Sequence, residues 1–81
     1  MDEATIRQQV RDYILRGLIR DETVSLRDDD GIITGGLMDS FALAEFAVFV
    51  ETAFEIYIPD SDLTVAKMDT MNQMVARILA G

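Results

Sequence analysis

One stretch of this chain combines residue types and spacing that suggest chemistry. It is Gly36-Leu37-Met38-Asp39-Ser40-Phe41, which ends a glycine-bearing segment and opens an amphipathic one. Ser40 therefore falls at a helix N-terminus. Backbone N–H groups without intrahelical partners, and the positive end of the helix dipole, favour an anion such as a phosphate diester there. Asp39 and Ser40 also read as an ordinary cap, since either side chain can accept from a first-turn amide. A serine hydroxyl is a weak nucleophile without an adjacent base. The chain has no histidine to act as that base and no cysteine to replace the hydroxyl. Ser40 is therefore not expected to act as a catalytic nucleophile, and no catalytic residue is expected.

Other candidates are weaker. Asp28-Asp29-Asp30-Gly31 invites a calcium reading. Placing Gly31 at the sixth position of a calcium loop puts Leu26 at the first and Leu37 at the twelfth, where oxygen donors are required. A solvated acidic turn is the better reading, and no metal site is expected. Met68, Met71 and Met74 recur at helical spacing and read as core, with an adaptable apolar pocket as the alternative. No paired carboxylates fall in an apolar setting that would suit an acid–base enzyme.

The chain of 81 residues carries a net charge of −8. Ten of its acids lie between Asp28 and Asp69, where Lys67 is the one base. Such a surface repels nucleic acid and attracts a partner with a basic patch. The start, Met-Asp-Glu-Ala-Thr, lacks the basic-then-apolar layout of a signal peptide. The longest apolar stretch, near Phe46, is too short for a bilayer. A cytoplasmic monomer without a membrane span is expected.

The elements that position Ser40 follow from hydrophobic period. Ile6, Val10, Tyr13, Ile14, Gly17 and Leu18 form one stripe and predict a first helix over 3–19. Residues 20–38 show no sustained period and read as a long loop pinned by Val24, Leu26, Ile32, Ile33 and Leu37. Short strands at 23–26 or 31–34 are the alternative there. Leu43, Phe46, Phe49, Val50 and Phe54 predict a second helix over 40–55, with Asp39 as its N-cap. Ile56-Tyr57-Ile58-Pro59 reads as extended, because the residue before proline avoids helix. One short helical turn is expected within 60–67. A last helix over 69–79 carries Met71, Met74, Val75, Ile78 and Leu79 inward. The fold class is all-α: one domain over 1–81, a small four-helix bundle of three longer helices and one short one, with the long loop between helices 1 and 2.

The Asp39-Ser40 motif, the element order and Ile58-Pro59-Asp60 after the second helix together resemble the acyl carrier protein family, over nearly the whole chain. The resemblance implies that Ser40 carries 4′-phosphopantetheine, donated by coenzyme A through a phosphopantetheinyl transferase, with Asp39 part of the same site. The reactive thiol then belongs to the arm, in keeping with a chain that has no cysteine. It implies an acyl- or aminoacyl-loading ligase, and synthase or transferase partners with basic docking patches. The exposed side of the second helix becomes the docking surface: Phe41, Ala44, Glu45, Val48 and Glu51, with Leu37 and Met38 in the preceding loop, where Met38 reads as a loop anchor first and a contact second. Phe41 stands where the family usually has leucine. Ala42 and Thr52 stand where fatty-acid members often have acids, which turns the expectation toward polyketide, lipopeptide or aminoacyl-transfer pathways. Met38-Asp39 replaces the Gly-Gly-His-Ser type of many peptidyl carriers and favours the acyl subtype. The competing reading is a small helical interaction adaptor that keeps this fold without the prosthetic group.

Overall fold

Helix α2 (Ser40–Phe54) carries the candidate serine as its first residue. The computed structural model describes residues 2–81. The α2 side chains Leu43, Phe46 and Val50 are buried, and Phe46 is fully enclosed. Helix α1 (Glu3–Asp12) starts at Asp2, whose carboxylate accepts from the Thr5 amide at 2.7 Å. It buries Ile6 and Val10 one turn apart and continues in wider π winding over Tyr13–Ile19, where Ile14 is buried. Helix α3 (Val65–Met68) is a single turn, preceded by a 3₁₀ turn at Asp60–Asp62. Helix α4 (Met71–Ala80) packs against α1. It opens with a capping box, in which Thr70 and Gln73 each satisfy the other's backbone amide. Among the described residues there is no strand, and the architecture is the four-helix all-α arrangement expected from the sequence.

The π winding of the first helix departs from the expected regular helix. It leaves Gly17 exposed, not on the apolar stripe. A Cβ at Gly17 would lie 3.2 Å from the Tyr13 ring, so the glycine makes room for that ring to lie along the helix. Tyr13 stacks on Phe49 at 4.0 Å between centroids and 5° between planes. Phe49 in turn meets Phe54 edge-on at 5.8 Å. Phe49 and Phe54, part of the apolar pattern that predicted α2, are only half-buried, because they form the outer margin of the aromatic cluster beside Phe46. Leu79, expected in the core, is 47% exposed. Met71, Met74, Val75 and Ile78 fill the inward stripe of α4 and leave Leu79 on its flank. Met68, Met71 and Met74 are all fully buried, so the methionines are packed core.

The long loop is ordered by anchors. Leu26 and Ile32 are buried, as expected, and Val24 and Ile33 are half-buried. Leu37 is not an anchor: it is 37% exposed, and Met38 takes that role at 4%. The 31–34 segment is a turn, not a strand, with Gly35 N–H donating to Gly31 C=O at 3.0 Å and Leu37 N–H to Ile32 C=O at 2.9 Å. At the other end, Asp28 joins three elements. Arg7 and Arg11 of α1 both pair with its carboxylate, and its carbonyl accepts from the Asn72 amide of α4 at 3.0 Å. Two helix ends close on non-glycine residues in left-handed conformation, Arg20 at φ 60° and Glu55 at φ 58°.

Candidate functional site at the start of helix 2

Ser40 is the first residue of α2 and is exposed. Its position is made by the residue before it. Asp39 lies in extended conformation, and its carboxylate accepts from the Ala42 amide at 2.8 Å while its carbonyl accepts from Leu43 N–H at 2.9 Å. Asp39 is the N-cap, so Ser40 is free of capping duty and its hydroxyl stands at the helix mouth. The amides of Ser40 and Phe41 have no acceptor within the helix by the geometry of any helix start. An accessible hydroxyl above polarised amides fits a covalently attached phosphate group. Two residues upstream of Ser40, Met38 is buried and fixes where the chain enters the helix.

The expected surface residues divide into two groups. Phe41 is 72% exposed and Val48 64%, and Ala44, Glu45 and Glu51 are exposed on the same side of α2. Spacings of three and four place these five on one stripe. Leu37 joins them from the loop. Met38 does not: its burial makes it an internal anchor and removes it from any surface contact. Below the stripe lies a groove of about 240 Å³ lined by Ala44, Val48, Glu51, Tyr57, Ile58 and Leu63. Tyr57 is 68% exposed on its rim. The residue before proline had marked this segment as extended but gave no sign of which way the ring faces.

Sequence reasoning also missed Asp69. From the sequence it reads only as a helix start. Its carboxylate accepts from the amides of Ile33 and Thr34 at 2.8 and 3.0 Å and from the Thr34 hydroxyl at 2.8 Å. These bonds, the Thr34 amide foremost, hold the carboxyl below the usual carboxylate range. Across the aromatic cluster, burial and then the Glu45 charge push the Tyr13 phenol up, and its hydroxyl points at the Glu45 carbonyl at 3.4 Å.

The candidate surface is thus an exposed serine at a capped helix start, beside an apolar and acidic stripe. No protein-family model matches the chain. Three relatives do. The D-alanyl carrier protein of Lactobacillus helveticus (strain DPC 4571) is 35% identical over 57 residues, 70% of this chain and 72% of the relative. Those of Lactobacillus acidophilus and Leuconostoc mesenteroides subsp. mesenteroides are each 33% identical over 57 residues, covering 72% and 73% of the relatives. A helical bundle with this site and these relatives defines a carrier, a protein that presents a bound group to enzymes and is not itself an enzyme. The chain belongs to the phosphopantetheine-binding carrier protein family. Among the described residues, no helix is long and apolar enough to cross a membrane.

Proposed function

We propose that Ser40 is the attachment residue for 4′-phosphopantetheine and that the cargo is a small aminoacyl group held as a thioester. The observation that carries the attachment is the exposed hydroxyl of Ser40 at the mouth of α2, with Asp39 doing the capping. The arm, when attached, supplies the thiol that the chain lacks. The chain itself supplies a hydroxyl of fixed position and an address. A phosphopantetheinyl transferase reads that address first. An adenylating ligase that loads the cargo reads it next, and then a transferase or synthase that takes the cargo away. These enzymes approach along Phe41, Ala44, Glu45, Val48 and Glu51, with Leu37 at the edge, and their basic patches face Glu45 and Glu51. This chemistry takes place in the cytoplasm, where coenzyme A and adenylating ligases are available.

The aminoacyl cargo is favoured over polyketide or lipopeptide intermediates by the name shared by the relatives, D-alanyl carrier protein. The absence of acids at 42 and 52 is in line with a role outside central fatty-acid synthesis. The test is loading of the phosphopantetheinylated protein by a D-alanine-activating ligase with ATP and D-alanine, followed by mass spectrometry. A gain of one alanyl group that hydroxylamine removes supports the proposal. Loading by fatty-acyl ligases in preference to the aminoacyl one contradicts the cargo. A protein that never accepts the arm would be an adaptor.

A further inference from the structure

We infer that Asp69 is a positioning residue for the modification of Ser40, an inference that rests on Ser40 being the attachment residue. Asp69 is 29 positions away in sequence, and its hydrogen bonds run to the turn at 32–34 and to Gln73. It acts on the turn that delivers the chain to Ser40. Asp69 accepts from three successive residues of that turn. Its carbonyl takes the Ile32 amide at 2.6 Å, and one carboxylate oxygen takes the Ile33 and Thr34 amides. The other carboxylate oxygen takes the Thr34 hydroxyl. The carboxylate does for this turn what an N-cap does for a helix, but it comes from a distant part of the chain.

The turn needs such an external acceptor. It is wound tightly enough that a Cβ on Gly31 would lie 2.1 Å from the Thr34 hydroxyl, and one on Gly35 would lie 2.3 Å from the Gly31 carbonyl. Gly36 follows at φ 83°. A glycine-rich stretch has much conformational freedom to lose and holds a single shape only when something outside it selects that shape. Asp69 is well placed to select. Its own amide donates to the Gln73 side chain at 2.8 Å, inside the capping box of α4, so the carboxylate is mounted on a fixed helix start. Downstream, the turn leads through exposed Leu37 to buried Met38 and the Asp39 cap. Without the carboxylate, the residues on the Leu37 side of Ser40 sample other arrangements. The form that a modifying enzyme recognises then becomes a fraction of the population, and apparent affinity falls by that fraction.

The experiment is steady-state phosphopantetheinylation with coenzyme A and a broad-specificity transferase. It compares wild type, Asp69→Ala, Asp69→Asn and Val10→Ala. Val10 is fully buried on α1 and serves as a control for global destabilisation alone. Asp69→Ala is expected to raise the KM for the carrier about tenfold while kcat changes less than twofold. Asp69→Asn keeps an oxygen for the two amides and is expected to lie between Ala and wild type. Amide exchange at Ile33 and Thr34 should accelerate at least tenfold in Asp69→Ala, with Phe46 and Val50 unchanged. An unchanged KM in both Asp69 variants, alongside labelled wild type, overturns the inference and leaves the Ser40 reading standing. So does an equal rise in KM for Val10→Ala. Wild type that is never labelled overturns the Ser40 reading and this inference with it.

Discussion

Truncating Phe46 and Phe54 separately should give clearly unequal losses of stability. Both are phenylalanines on α2, eight residues apart, yet Phe46 is fully buried and Phe54 only partly. Phe46 lies 6.3 Å from Tyr13 and 6.1 Å from Phe49, centroid to centroid. Its removal opens a cavity in the enclosed core. A Phe→Ala change at such a site costs about 3–5 kcal/mol. Phe54 lines an open groove near Ile6, Ile56 and Leu79, so water already reaches part of it. Its truncation should cost about half as much, roughly 1.5–2.5 kcal/mol. Ser40→Ala should cost less than about 0.5 kcal/mol, because the side chain is exposed and Asp39 remains as cap. A domain of this size has only about 4–12 kcal/mol in total, so Phe46→Ala removes a large share. Urea unfolding followed by far-UV circular dichroism gives the three midpoints, and unchanged m-values confirm that stability is what moved. Equal losses for the two phenylalanines, or a larger loss for Phe54, would refute the assignment of the inner and outer faces of α2.

Other outcomes follow from the same geometry. Glu55→Gly should stabilise the protein by about 1 kcal/mol, since glycine adopts the left-handed cap of α2 without the steric cost of a Cβ; thermal melts check this. Asp62 pairs with Lys67 and Arg77, and these hydrogen bonds, Lys67 first, hold its carboxyl below the usual range. A lowered folded pKa stabilises above the unfolded value and is lost as pH falls through the folded one. Asp62→Asn should therefore be less stable than wild type at pH 7, with the difference shrinking below about pH 4; urea midpoints across that range test it. Glu45→Lys and Glu51→Lys should slow association with a basic partner, with the gap closing as salt is added. Phe41→Ala should weaken binding at every ionic strength; stopped-flow or surface-based association rates separate the two effects.

What could be read from the sequence was what short-range chemistry encodes. Asp39 before an amphipathic run announces a cap, and the cap fixes Ser40 as the first helical residue. Ile6, Val10 and Ile14, and Leu43, Phe46 and Val50, carry their burial in their spacing. The stripe of Phe41, Ala44, Glu45, Val48 and Glu51 was visible as the complement of that inner face. The rest depends on partners far away in sequence. Asp69 reaches back 36 residues to Ile33, and Asp28 gathers arginines from α1 and an amide from α4. No local period marks either carboxylate. Of the two adjacent apolar residues read as loop anchors, Met38 faces inward and Leu37 does not, because the turn at 31–36 sets the chain's direction there. Arg20 and Glu55 hide two helix ends because neither is the glycine that usually signals a left-handed cap.

The central claim is that Ser40 carries the prosthetic group, and intact-protein mass spectrometry after incubation with coenzyme A, magnesium and a broad-specificity transferase tests it most directly. Wild type is expected to gain one phosphopantetheinyl group, while Ser40→Ala, folded to the same far-UV spectrum, is expected to gain none. A labelled Ser40→Ala protein, or wild type that stays at its unmodified mass, would contradict the claim.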